Sequence, residues 1–97
     1  MLVLPIKKRW FDMIKSGEKK EEYREIKPYW NSRIGYLTVG IRRVVMVLLR
    51  NGYKSNSPAI KCKCVVDIGK GKTEWGAEPN TNYYVFTILE IVGGEDE

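Results

Sequence analysis

Apolar residues change their period several times along this chain, and each change marks an element. Met1 to Pro5 is a short apolar run that predicts a first strand. From Ile6 onward, Ile6, Trp10, Met13 and Ile14 recur at helical spacing while Lys8, Arg9, Asp12 and Lys15 take the other side. That pattern predicts a helix of about two to three turns, closed by Ser16-Gly17. Glu21 to Glu25 reads as a short second strand, with Glu22 and Arg24 on one face and Tyr23 opposite them, towards the core. Pro28 stands where a second helix would open, and Tyr29, Trp30, Arg33, Ile34 and Leu37 continue it with the apolar members on one side.

Further on, the continuous apolar run from Val44 to Leu49 is too short for a buried helix and predicts a strand covered on both faces. Asn51-Gly52 ends it with strong turn chemistry, and Lys54 to Pro58 forms a loop. Ala59 to Ile68 then alternates: Ile60, Cys62, Cys64, Val66 and Ile68 point one way, Lys61, Lys63 and Asp67 the other. Gly69 to Asn82 predicts a loop, Tyr83 to Val92 a last strand, and Gly93 to Glu97 a frayed acidic tail. A few strands, the middle ones long, with two helices predict an α+β fold: a small mixed β-barrel with helices across its mouth.

Length narrows this to one domain, residues 1–92, followed by the short tail, because 97 residues leave no room for a doubly wound sheet. The net charge is +5, and its distribution carries more than its sum. No acidic residue lies between Glu25 and Asp67, a stretch that holds Lys27, Arg33, Arg42, Arg43, Arg50, Lys54, Lys61 and Lys63. A section with basic side chains only suits an anionic partner such as nucleic acid or a nucleotide; a solvated basic face is the plainer alternative.

Cys62 and Cys64 share one side of a strand, where disulfide geometry is poor, so both are expected as reduced core residues of a cytoplasmic protein. Two thiols without histidine or a second cysteine pair exclude a zinc site, and no cofactor set is expected. Gly71-Lys72-Thr73 ends like a phosphate-binding loop, but that motif needs glycine where Val66 stands. No apolar stretch is long enough for a signal peptide or a membrane span, so no membrane partner is expected.

The candidate chemistry lies in Gly17 to Arg24, G-E-K-K-E-E-Y-R, spaced G-x-K-x-x-E-x-R. A glycine that closes a helix drops the chain into a segment where the Lys19 ammonium, the Glu22 carboxylate and the Arg24 guanidinium can converge on a small polar ligand. With no histidine in the chain, acid–base work at neutral pH would fall to such groups. Lys19 is then a positioned donor or, if desolvated, a base, and Glu22 an acceptor for an exocyclic amine. The alternative is an ion pair that only ties strand to helix.

In order along the chain stand Ile6-Lys7-Lys8, Trp10-Phe11 and Ile14 before Ser16-Gly17, then Lys19, Glu22 and Arg24, Pro28-Tyr29-Trp30 with Arg33, Asn51-Gly52-Tyr53, and Glu74-Trp75-Gly76. This succession resembles the ASCH domain family of the PUA-like superfamily, over nearly the whole chain. The resemblance implies a small PUA-like barrel with a cleft lined by Gly17, Lys19, Glu22 and Arg24, and binding of RNA, a nucleotide or a modified nucleoside. Some relatives are amidohydrolases of N4-acylated cytidine, and others are linked to RNA cleavage. In those amidohydrolases the lysine, here Lys19, works with a threonine at the position of Glu22 and a glutamate from a later strand, for which Asp67 and Glu74 are the available acids.

Two functions therefore stay open. As a binding module, Arg24 and Lys19 would hold phosphate or a carbonyl, Glu22 would read a base edge, and Arg33 and Tyr53 would complete the site. Arg42, Arg43, Lys61 and Lys63 would attract a nucleic-acid backbone, and Tyr53, Trp30 and Trp75 would be stacking platforms. As a hydrolase, Lys19 and Glu22 would be the catalytic pair, with Glu22 activating water in place of a hydroxyl nucleophile.

Overall fold

A computed structural model describes residues 1–37 and 43–94 of the protein. The elements are β1 (Leu2–Ile6), α1 (Lys8–Lys15), β2 (Glu21–Glu25), α2 (Pro28–Ile34), β3 (Val44–Asn51), β4 (Ala59–Lys70) and β5 (Asn82–Gly94), with 3-10 turns at Gly35–Leu37 and Thr73–Trp75. Among the described residues the five strands form one sheet in the order β1-β3-β4-β5-β2. The β1–β3 pair is parallel and the other pairs are antiparallel.

The sheet curls into a half-barrel with β1 and β2 at its two edges. Part of the bend comes from β5, where Leu89 and Val92 are passed over in the pairing with β4. Each such extra residue kinks its strand and strengthens the local twist. The concave face holds the main core: Leu4, Val47, Leu49, Cys62, Cys64 and Phe86 are buried there together with Phe11 and Ile14 of α1 and Ile34 of α2. Tyr84 belongs to the same core, and its hydroxyl donates to Asn31 Oδ1 at 2.6 Å, which ties α2 to β5.

Several sequence expectations shift. The expected closed barrel is open, since β1 and β2 form the ends of the strand order. Ile6 closes β1, paired with Asn51, and the helix starts at Lys8, because the parallel ladder holds Ile6 extended. β3 is dry on one face only: Val47 and Leu49 are buried, Val44 is exposed. The β4–β5 ladder runs to Lys70 and Asn82, so Gly69 and Lys70 are strand, not loop, while the dry face of β4 ends at Val66 and Ile68 is exposed. Gly93 and Gly94 pair with Lys61 and Ile60, so β5 outlasts Val92; residues 95–97 of the acidic tail lie outside the described residues.

The largest correction concerns β2. Glu22 pairs with Phe86 and Arg24 with Tyr84, both residues of the main core, so the charged pair lies on the concave face. Tyr23 pairs with Val85 and packs on the opposite face in a second, smaller cluster with Ala77, Tyr83 and Trp75. Tyr23 keeps its polar tip satisfied there: its hydroxyl donates to Glu21 Oε1 at 2.7 Å and accepts from the Lys72 N–H at 2.9 Å. Among the described residues no helix is long and apolar enough to cross a membrane.

Both thiols are free and fully buried on the concave face. Burial raises the Cys62 thiol to about 11 and the Cys64 thiol, with Cys62 adding to the effect, to about 12, from an ordinary value of 9.0. Desolvation raises Tyr23 as well. Because these folded values exceed the unfolded ones, the stability they contribute is intact below pH 9.0 and is lost as pH rises through about 11 and 12. The urea midpoint should therefore fall as pH climbs above 9.0, and Cys62→Val with Cys64→Val should flatten that fall. An alkaline slope that the double substitution leaves unchanged would show that the thiols do not set it.

Candidate functional site: a charged seam under an aromatic cleft

The open seam between β1 and β2 is where the octet from Gly17 to Arg24 does its structural work. Gly17 adopts φ +87°, a left-handed conformation that favours glycine, and the chain folds back over the end of α1. The Gly17 N–H donates to the Ile14 carbonyl at 3.1 Å and the Lys19 N–H to the Met13 carbonyl at 3.0 Å. This reversal sends the Lys19 side chain inward, and the residue is only 2% exposed. Its ammonium donates to Glu22 Oε1 and to the Glu21 carbonyl, each at 2.5 Å.

Glu22, 5% exposed, accepts on its other oxygen from Arg24 Nη1 at 2.5 Å. Arg24 spans the seam: Nη1 also donates to the Tyr23 carbonyl at 2.6 Å, and Nη2 to the Pro5 carbonyl of β1 at 2.7 Å. One guanidinium thus bridges the two edge strands that the sheet leaves apart. A planar fork with five donors suits this task, and a lysine could not reproduce it.

Two cations flank the buried Glu22 carboxylate, and the Glu21 carboxylate, held by the Tyr23 hydroxyl, acts on Lys19 as well. Desolvation lowers the Lys19 pKa below 10.5; Glu22 works in the opposite direction, and Arg24 adds to the lowering. The Lys19 ammonium also sits over two rings, 5.4 Å from the centroid of Trp10 and 5.3 Å from that of Tyr23. Ring faces offset part of the lost hydration of a buried cation.

Above this floor opens a cleft of about 730 Å³. Pro5 and Ile6 of β1 border one side, and Glu22 to Glu25 of β2 the other. Trp10 of α1, Tyr29 and Trp30 of α2, Tyr53 of the β3–β4 turn, and Trp75 and Tyr83 line the walls. Lys7 and Lys27 stand at the rim, Lys27 paired with Glu25 at 2.8 Å. Gly71 lets the β4–β5 connection close in: a Cβ there would come within 2.7 Å of both the Tyr23 ring and Ala77 Cβ. Among the described residues no cluster of metal-ligating side chains occurs.

The sequence-derived site residues fall into separate groups. Glu22, Arg24 and Tyr53 line the cleft, Tyr53 standing 86% exposed at its mouth. Lys19 lies behind Glu22, and Gly17 serves the turn without touching the cleft. Arg33 is elsewhere: its guanidinium stacks on Tyr29 at 3.6 Å, and the residue borders a separate hollow near Leu37 and Val45. Lys61 and Lys63 occupy the convex face, opposite the core-facing Cys62 and Cys64, and Lys63 approaches Glu90 at 3.6 Å. Arg43 is exposed ahead of β3, and Arg42 lies outside the described residues. Neither Asp67 nor Glu74 lines the cleft: Asp67 pairs with Val85 on the convex face, and Glu74 is exposed in its 3-10 turn.

Sequence reasoning missed Trp10 and the Pro5 carbonyl. Trp10 and Phe11 are adjacent on a helix, so their side chains diverge by about 100° and one of them must leave the core. Phe11 is buried and Trp10 turns to the cleft. The Pro5 carbonyl carried no signal, because its role depends on β2 arriving opposite it.

Arg24→Met should destabilise the fold by about 3 kcal/mol, since it leaves the buried Glu22 with one cation and unties β1 from β2. Arg24→Lys should recover less than half of that, because one ammonium cannot serve Glu22 and Pro5 as the fork does. Urea denaturation with unchanged m-value measures both, and a loss under about 1 kcal/mol for Arg24→Met would show that the seam does not need its clasp.

Compared with known protein families, curated proteins and solved structures, the chain matches none. What the cleft binds has to be inferred from its floor, walls and rim.

Proposed function

We propose that the protein is a binding module for RNA or a nucleotide, holding a nucleobase in the seam cleft. One observation carries this: tryptophan and tyrosine side chains line the walls above a charged, hydrogen-bonding floor, in a cleft of about 730 Å³. That volume lies in the range of small-ligand sites. Base stacking on tryptophan and tyrosine tolerates any base, while a floor of carboxylate and guanidinium reads polar edges. Glu22 lines the cleft, and the four lone-pair sites of a carboxylate leave room for a ligand N–H beside its two cations. The same function is what a resemblance to the ASCH family implies.

The burial of Lys19 favours binding over hydrolysis. Its ammonium is occupied by Glu21 and Glu22 and faces two rings, so a substrate in the cleft meets Glu22 and Arg24 first. Lys19 then serves to hold Glu22 in place. Phosphate attraction falls to Lys7 and Lys27 at the rim, since Lys61 and Lys63 face away.

All three tryptophans of the chain line the cleft, so fluorescence excited selectively in tryptophan reports its occupancy. Titration with nucleoside monophosphates and short RNAs should give a saturable change. Trp30→Ala should weaken binding about tenfold, the scale of one stacked base, while Lys61→Ala with Lys63→Ala should leave a mononucleotide unaffected. A flat signal with every nucleotide and RNA up to about millimolar concentration would refute the proposal.

A further inference from the structure

We propose that the cleft selects a planar ligand bearing negative charge, a nucleobase with its phosphate, and rejects the cationic groups that an aromatic cleft ordinarily attracts. This rests on the nucleobase reading above and adds charge selectivity to it. The observation is that the protein's own cations already sit on the wall rings. The Arg9 guanidinium lies 4.5 Å from the Trp10 centroid, with the Lys19 ammonium over the same ring at 5.4 Å. Lys72 lies 5.0 Å from Trp75, Arg24 5.4 Å from Trp30, and Arg33 3.6 Å from Tyr29. Of these cations only Arg24 lines the cleft; the others meet the rings from outside it.

A ring face attracts cations through its negative quadrupole. A cation held on one face draws that electron density towards itself and leaves the other face less attractive to a second cation. The held charges also act directly, because a ligand stacked on the free face lies within about one Debye length of them. Both effects disfavour a quaternary ammonium or methylated lysine, and both favour an electron-rich base with an anionic substituent. This is selectivity by repulsion of the wrong ligand as well as attraction of the right one.

The charge lining the cleft points the same way. Lys7, Arg24 and Lys27 line it against the carboxylates of Glu22 and Glu25, while behind this lining Lys19 is matched by Glu21 on the Tyr23 hydroxyl. Both carboxylates are already engaged: Glu22 with Lys19 and Arg24, Glu25 with Lys27. Lys7 is exposed at the rim, free to meet a phosphate.

The test is a fluorescence titration of the full chain with uridine monophosphate, uridine and tetramethylammonium, repeated on an Arg9→Gln, Lys72→Gln variant. Both substituted residues are exposed and neither lines the cleft, so the fold and the contact surface stay as they are. Uridine monophosphate should bind about tenfold more tightly than uridine, tetramethylammonium should give no saturable change, and the variant should narrow the first ratio and gain a response to tetramethylammonium. Equal binding of uridine and its monophosphate, or tetramethylammonium binding as tightly as either, would overturn the charge selectivity while leaving the nucleobase reading intact. A variant identical to the parent chain would overturn the role given to the ring-bound cations. No response to uridine, its monophosphate or any other nucleotide or RNA would remove both readings.

Discussion

A single buried carboxylate, Glu22, organises the open side of this fold. A five-stranded sheet that curls without closing leaves two edge strands facing each other with unmatched polar groups. Here β2 presents Glu22 and Arg24 on its concave face, and Arg24 reaches the Pro5 carbonyl of β1 while Glu22 holds it in line. Lys19 secures the second carboxylate oxygen. Each partner is desolvated, so each depends on the others: an unpaired charge in this place would cost several kcal/mol. The helix-ending glycine, the inward lysine and the clasp across the seam are parts of one arrangement.

That arrangement also shapes the cleft. Because Arg24 bridges the seam instead of a further pair of backbone hydrogen bonds, β1 and β2 stay far enough apart for a cleft of about 730 Å³ to open between them. The surrounding elements fill its walls with rings, several of which carry one of the protein's own cations: Arg9 on Trp10, Lys72 on Trp75 and, from within the cleft, Arg24 on Trp30. Buried charge and aromatic surface are not independent features here. The lysine that holds the carboxylate sits on Trp10 and Tyr23, and the arginine that clasps the strands sits over Trp30.

Much of the fold was legible in the chain. The helical period from Trp10 to Ile14, the proline at the start of α2, the turn at Asn51-Gly52 and the alternation around Cys62 and Cys64 each placed an element of the right kind. Those signals are local: a period, a cap or a turn residue is decided within a few positions. The limits of the strands were less legible, because Gly69, Lys70, Gly93 and Gly94 have weak strand preference and are held extended by pairing with a distant partner. The octet was legible as a convergence of charge, since a glycine cap and a two-residue strand period suffice to bring Lys19, Glu22 and Arg24 together.

Which way that convergence faced was not. Alternation says that Glu22 and Arg24 share a face opposite Tyr23, but hydrophobicity alone finds only the smaller core that buries Tyr23 and not that the charged face is buried too. Register with β5 decided it, setting Glu22 beside Phe86 and Arg24 beside Tyr84, while Tyr23 found a second apolar cluster under Gly71 and Ala77. Register likewise set Lys61 and Lys63 on the convex side, away from a cleft that shares their charge in the sequence but not their position. By itself, the sequence determined which residues form helix, turn and strand and which charges lie near one another along the chain. Only the tertiary structure decided which charges are buried, because burial depends on what a distant strand brings to the opposite side.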